Sequence, residues 1–304
     1  MTLLQRHLMF GLWSVSLFLL TAPVIRELIE FSLSDRMVAS QIVVVPFVSA
    51  GLIFLRRREV FRVVENGMLA GATTIGLGLA VLSLPVVGGG GNPDRLSLLT
   101  GGLLVAWVGG FLFFYGAPAF RRAVFPLLFL AFSVPIPSAV LDGTIAFLQR
   151  ASADTAYGLL KLTGTPVYRE GFVFALPGLL IEVAPECSGI RSGIAMLMTS
   201  LLGGYLMLSS WWKRAALVLA ALPLLILKNA IRIDTLSLLS IHVDPGFIEG
   251  RLHQEGGVVF FALGLLMLYP VLLVLMKSEG NQRLRVPDLP VGWSPPSDDK
   301  VVTR

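Results

Sequence analysis

At 304 residues, the chain is 55% hydrophobic and only 14% charged, a balance that excludes an ordinary soluble domain and fits a polytopic membrane protein. Its net charge of +5 invites a nucleic-acid reading, but the basic residues fall in short runs between apolar stretches, which orients spans instead of binding a polyanion. The single cysteine, Cys187, excludes an intramolecular disulfide and makes a poor metal site on its own.

A helix that crosses the hydrocarbon core needs roughly 20 apolar residues, with a working range of about 17–25. In chain order the segments that read as spans are 9–25, 37–55, 67–87, 96–115, 123–134, 187–208, 215–233 and 258–276. The fifth is short. These eight predict an all-α polytopic membrane protein, with one transmembrane domain over residues 1–276. The first span has signal-peptide features, with Arg6 ahead of an apolar run and Thr21-Ala22-Pro23 after it. No good A-x-A cleavage site follows, so it reads as a retained anchor. Arg56, Arg57, Arg58 and Arg62 follow the second span, Arg121 and Arg122 the fourth, Lys213 and Arg214 the sixth, and Lys277 the eighth. The alternate loops are close to neutral, which puts both termini in the cytoplasm.

Gly88 to Gly91 reads as a flexible turn and not a phosphate loop, because no Lys-Ser/Thr follows in register. Pro135-Ile136-Pro137 breaks the fifth span. Residues 139–162 then read as an amphipathic helix at the membrane interface or over the bundle, with Val140, Ile145, Phe147 and Leu148 set among Asp142, Gln149 and Arg150. Residues 167–183, interrupted by Gly171 and Pro177-Gly178, fit short strands or a hairpin. The hairpin delivers Cys187 to the outer end of the sixth span. The tail, residues 277–304, carries four prolines and mixed charge and reads as extended or disordered.

Three outer-face features carry chemistry. Cys187 opens the sixth span, Arg232 closes the seventh, and His253 precedes the eighth. The topology puts all three at one depth on one side. An imidazole can take or return a proton. A guanidinium can stabilise a thiolate or an oxyanion, and a helix N-terminus beneath the sulfur favours the thiolate. Each residue also has a plainer reading. Cys187, with Gly189, Gly193, Ser188 and Ser192, fits a small-residue packing stripe. Arg232 can snorkel to the headgroups, although Lys228 one turn deeper adds a second cation where ionisable groups usually face a cavity. Arg191, one turn after Cys187, can serve the thiolate or pair with Glu186 or Glu182.

Ala-Pro-Glu-Cys-Ser-Gly-Ile-Arg-Ser at 184–192, Asn-x-x-Arg-Ile at 229–233 and His-x-x-x-Gly-x-x-Phe at 253–260 resemble, in order, the three motifs of the exosortase/archaeosortase family. The resemblance covers about residues 123–276. It implies a membrane-embedded cysteine transpeptidase or protease, analogous to sortases in chemistry and unrelated in fold. Its implied partners are exported proteins with a C-terminal sorting signal: a short motif (Pro-Glu-Pro in the best-known bacterial group, hence PEP-CTERM), a transmembrane helix and a basic cluster. Carried over, Cys187 is the nucleophile, Arg232 the motif arginine and His253 the third member, as in bacterial exosortases. Ser188, Arg191, Asn229, Glu186 and Gly257 are supporting positions. The implied setting is the bacterial inner membrane, with the site facing the periplasm and a lipid or polysaccharide as one class of acceptor. No cofactor, metal or nucleic acid is called for.

Two rival readings compete. A transporter or exopolysaccharide-export component would use Arg232, Lys228 and His253 to line a path, but it gives Cys187 no role. A metalloprotease using His242, His253 and Cys187 lacks an H-E-x-x-H and well-spaced ligands.

Overall fold

Apolar helices dominate the structure, a computed structural model that describes residues 1–34, 39, 41–84, 92–247 and 257–279. Among these, five helices are long and apolar enough to cross a membrane. They are α1 (Leu3–Leu20), α6 (Pro93–Arg122), α9 (Ile190–Met207, with the turn before it), α10 (Trp211–His242) and α11 (Gly257–Lys277). Helices α2 (Ala22–Ser34) and α4 (Arg57–Val60) are connectors. Helices α3 (Val44–Leu55) and α5 (Met68–Leu82) are apolar but have only 12 and 15 residues, about 18 and 23 Å at ~1.5 Å per residue. That falls short of a ~30 Å hydrocarbon core. The expected spans at 37–55 and 67–87 run partly outside the described residues, as do the Gly88–Gly91 turn and the tail from residue 280.

The expected fifth span is not one straight helix. Helix α7 (Val124–Phe129) tightens into a 3₁₀ turn at Leu130–Ser133, and α8 (Ser138–Leu162) leaves it at 88°. Pro135 and Pro137 cannot donate helical hydrogen bonds, so the chain turns there. The corner is tied to the start of α6: Asp94 Oδ1 accepts from Ser138 N–H at 2.6 Å and Ser138 Oγ at 2.8 Å, and Ser97 Oγ donates to Pro135 O at 2.7 Å. Leu20, Leu69 and Val258 are 73%, 82% and 76% exposed. Large apolar side chains left outside in such number suit lipid and not water. The protein is thus a multi-pass, mostly helical membrane protein.

Helices α5 and α6 pack with almost no gap. A Cβ at Gly71 would sit 2.4 Å from Phe113 Cα, one at Gly78 2.4 Å from Ala106 N, and one at Gly109 2.6 Å from Ile75 N. Without side chains there, the backbones close in and dispersion replaces the hydrophobic drive that lipid does not supply. Near its end α6 breaks at Gly116, with φ +77°. A side chain there is strained by the left-handed backbone and would meet Glu65 O at 2.7 Å. Pro118 has no N–H for Phe114 O. The buried Arg6 supplies one, donating also to Glu65 O and Asn66 Oδ1 at 2.8 Å each.

The C-terminal half is built on α10. Its start is capped from the turn just after α11: Glu279 accepts from Ser209 N–H and Oγ and from Ser210 N–H at 2.9–3.0 Å, with Lys213 Nζ at 3.9 Å. Burial pulls the Glu279 carboxyl up, but these donors outweigh it and hold it down at about 2. With the end of α11 beside the start of α10, the two helices run antiparallel. Helices α9, α10 and α11 meet where Gly264 lets Lys228 and Met196 approach, at about 3.5 Å from a would-be Cβ.

Between α8 and α9 lies a three-stranded antiparallel meander: β1 (Tyr168–Glu170), β2 (Val173–Leu176) and β3 (Leu179–Glu182), turning at Gly171-Phe172 and Pro177-Gly178. Phe174 and Leu176 pack with Ala153, Ala156 and Leu160 of α8 and with Ala230 and Ile233 of α10. The sheet is therefore fixed to the face of α10 that carries Arg232's neighbours.

Candidate active site

Cys187 does not open a helix. It lies in a 3₁₀ turn, Pro185–Ser188, and α9 starts at Ile190. The turn forms because Pro185 fixes the first φ and the Cys187 N–H bonds to Ala184 O at 2.8 Å. Gly189 then adopts φ +82°. A Cβ there would lie 3.0 Å from the Asn229 amide, so the glycine both reverses the chain and admits Asn229. The expected helix N-terminus under the sulfur is three residues further on, across this reversal.

Asn229 is fully buried, and its Nδ2 donates to Cys187 O at 2.8 Å. Ser188 is buried, with its Oγ accepting from Ile190 N–H at 3.4 Å. A second tie runs deeper: the buried Lys228 Nζ donates to Ser192 Oγ at 2.6 Å, and Ser192 Oγ donates to Gly189 O at 3.0 Å. From α8, Gln149 Nε2 donates to Val183 O at 2.6 Å. The cysteine turn is thus held at its carbonyl, at its glycine and at the strand leading in. Unsatisfied amides at this depth would cost several kcal/mol each, so these ties are strongly specified.

Arg232 does not close its helix. Helix α10 runs ten residues further, to His242. Hydropathy falls after Ile233 because Asp234, Thr235, Ser237 and Ser240 enter, yet nothing there breaks a helix, and Leu238 and Ile241 pack on the sheet cluster. Arg232 lies 21 residues along α10 from Trp211, a rise of about 32 Å. Helix α9 has 18 residues, about 27 Å, and Cys187 lies one turn beyond. The two helices are joined at Leu208–Ser210, so thiol and guanidinium reach the same height.

They also share a space. A cavity of about 220 Å³ is lined by Cys187 and Arg232 together with β3 and Ile233, Leu236 and Ser237 of α10. Cys187 is half-buried, and the Arg232 guanidinium is within electrostatic reach of it. A largely apolar wall that carries one thiol and one cation, with Glu182 and Ser237 also in the lining, can hold a peptide carbonyl beside a nucleophile and stabilise the charge that develops on it.

The other expected residues separate. Glu186 and Arg191 are exposed, and among the described residues no hydrogen bond or ion pair involves Arg191. Gly257 is the first residue of α11. His253 lies outside the described residues. His242 ends α10, about 15 Å beyond Arg232 by helical rise, with Nδ1 against Leu238 O. Among the described residues no group of three or more His, Cys, Asp or Glu is arranged to hold a metal ion. Gln149 and Ser192 gave no sequence signal of their own, being one polar residue among several on amphipathic or small-residue stretches. Lys228 was visible as a buried cation without a partner to name.

Fold and site together define a multi-pass membrane protein with a thiol–guanidinium cavity at one end of its helix bundle. The family model for transmembrane exosortases matches residues 35–270, and the chain belongs to that family. No curated protein and no solved structure matches it.

Proposed function

We propose that the protein is a cysteine transpeptidase that cleaves C-terminal sorting signals of exported proteins on the outer face of the inner membrane. The observation that carries this reading is the cavity shared by Cys187 and Arg232, with the Cys187 carbonyl held by Asn229 from the same helix as Arg232. Family membership supports it independently.

In this mechanism the Cys187 thiolate attacks the scissile carbonyl carbon, and the oxyanion that forms is stabilised by Arg232. The carbon–nitrogen bond breaks as the leaving amine takes a proton from His253, leaving a thioester on Cys187. His253 then takes a proton from an acceptor hydroxyl, amine or water, whose attack on the thioester releases the Cys187 thiolate. The position of Gly257 supports the role of His253. Gly264 faces Lys228, and α11 runs antiparallel to α10, so Gly257 lies about 10 Å above Lys228 by helical rise. Gly257 therefore lies near the height of Arg232. A lipid or polysaccharide is the acceptor class proposed, and an exported protein ending in a motif, a membrane helix and a basic tail is the substrate class. Both termini are assigned to the cytoplasm, with the Lys213–Glu279 end of the bundle on that side.

Co-expression with such a substrate tests the reading. Wild-type enzyme should shorten the substrate, whereas Cys187→Ala should leave it full length and Cys187→Ser nearly so, because a serine alkoxide forms far less readily than a thiolate. Unchanged cleavage by Cys187→Ala would refute it.

A further inference from the structure

Strand β3 is one of the two edge strands of the sheet, and its outer edge borders the Cys187 cavity. Its pairing with β2 fixes which backbone groups face out. The two-residue turn at Pro177-Gly178 makes Leu176–Leu179 the closing pair, and Val183 N–H bonds to Phe172 O at 2.9 Å. Antiparallel alternation then turns Leu179, Ile181 and Val183 toward β2 and leaves the N–H and C=O of Leu180 and Glu182 pointing outward. Glu182 O is used locally, accepting from Ala184 N–H at 3.0 Å. Among the described residues, the Leu180 N–H and C=O and the Glu182 N–H have no partner.

Exposed edges are normally protected by lysine, proline or a bulge. Strand β3, Leu-Leu-Ile-Glu, has none of these, and Leu180 is 74% exposed. The cavity follows the strand from Leu180 through Ala184 to Cys187, with Leu236 and Ser237 of α10 as its far wall. The edge therefore ends at the thiol.

We propose that β3 binds its substrate by strand addition: the extended residues just before the scissile bond pair with the free edge of β3, in parallel, and so deliver the carbonyl to Cys187. Backbone hydrogen bonds hold such a peptide, and the groove selects alternate side chains. The direction follows from continuity with the site. After Cys187 this chain enters the bundle as α9, and a substrate whose membrane helix follows its cleaved bond must run the same way past the same point. The proposal rests on the transpeptidase reading above and adds the mode of recognition.

The test uses full-length enzyme in native membrane vesicles, with Leu180→Cys in a Cys187→Ala background as its single thiol. The probe is a reporter protein ending in a sorting signal that the wild-type enzyme cleaves, with one cysteine moved residue by residue through the stretch before the cleaved bond. Disulfide formation is expected at every second position. Replacing Leu180→Cys by Glu182→Cys should move the preferred position two residues toward the cleaved bond. Cross-linking without that alternation, a shift in the opposite direction, or cross-links only between two copies of the enzyme would overturn the proposal. In otherwise wild-type enzyme, Leu180→Pro removes one outward N–H at an edge where proline is tolerated. It should raise KM for the reporter about 10-fold relative to Leu180→Ala, the worth of roughly one hydrogen bond, while iodoacetamide labels Cys187 in the two variants at the same rate. Cleavage that survives Cys187→Ala defeats the transpeptidase reading but leaves the cross-linking pattern meaningful. Cys187-dependent cleavage without the pattern defeats strand addition alone.

Discussion

The α5–α6 hairpin and the α8–α10 bundle solve the same packing problem in opposite ways. In the hairpin, Gly71, Gly78 and Gly109 bring backbone against backbone. Around α10 the buried set includes many polar groups: Lys228, Asn229, Asp234, Ser237 and Ser240 on the helix, with Ser188 and Gln149 buried on other elements. Glycine seams give rigidity with little chemistry. Buried polar groups in a membrane are costly, and here one ends on the turn that presents Cys187 and two on the segments that flank it. The difference separates a scaffold from a site.

Substitutions in the two regions should therefore fail differently. The largest effect on turnover short of losing the thiol is expected from Arg232→Ala, which removes the cation that, among the described residues, lines the cavity. It should lower kcat by roughly 10²–10³-fold, as loss of an oxyanion donor does, with little change in thermal stability measured in detergent. Asn229→Ala should act through position. It leaves the Cys187 carbonyl unpaired, costing about 1–3 kcal/mol, and should lower kcat and shift the pH dependence of Cys187 alkylation together. An unfolding assay and a thiol-labelling profile would check both.

Gly78→Ala in the hairpin sharpens the contrast from the other side. The added methyl meets Ala106 backbone at 2.4 Å, and overpacking of this kind costs about 1–3 kcal/mol. It should lower the melting temperature while kcat of the folded fraction stays at wild type. A loss of kcat without a loss of stability would erase the distinction between the regions.

The smallest effect is expected at the Glu279 cap. A carboxyl held at about 2, below its unfolded value near 4.3, contributes stability that is complete above the unfolded value and is lost as pH falls toward about 2. Glu279→Gln should therefore melt lower than wild type at pH 7. The difference should shrink as pH falls through 4, in thermal melts at fixed ionic strength.

Much of this was legible in the sequence, for physical reasons that can be named. Apolar runs have to be long to cross a bilayer, so α6, α9, α10 and α11 stand out by composition. The 88° corner is announced by Pro135 and Pro137, and the strands by Gly171 and Pro177-Gly178. Hydropathy misleads where a helix leaves the apolar layer: it stops at Ile233, although α10 continues to His242 on amphipathic packing. It also placed Cys187 on a helix, because a four-residue 3₁₀ turn and a left-handed Gly189 leave hydropathy unchanged. The ties from Asn229, Lys228 and Gln149 join residues 34 to 42 positions apart, and no local pattern encodes such pairings.

The central claim is that Cys187 forms a covalent intermediate with the substrate. Intact-mass analysis of the full-length enzyme, quenched in acid during turnover with a reporter carrying a sorting signal, tests it most directly. The account predicts an added mass equal to the substrate portion before the cleaved bond, released by hydroxylamine and mapped to the peptide containing Cys187. Turnover with no adduct on Cys187, under conditions where Arg232→Ala turns over as fast as wild type, would contradict it.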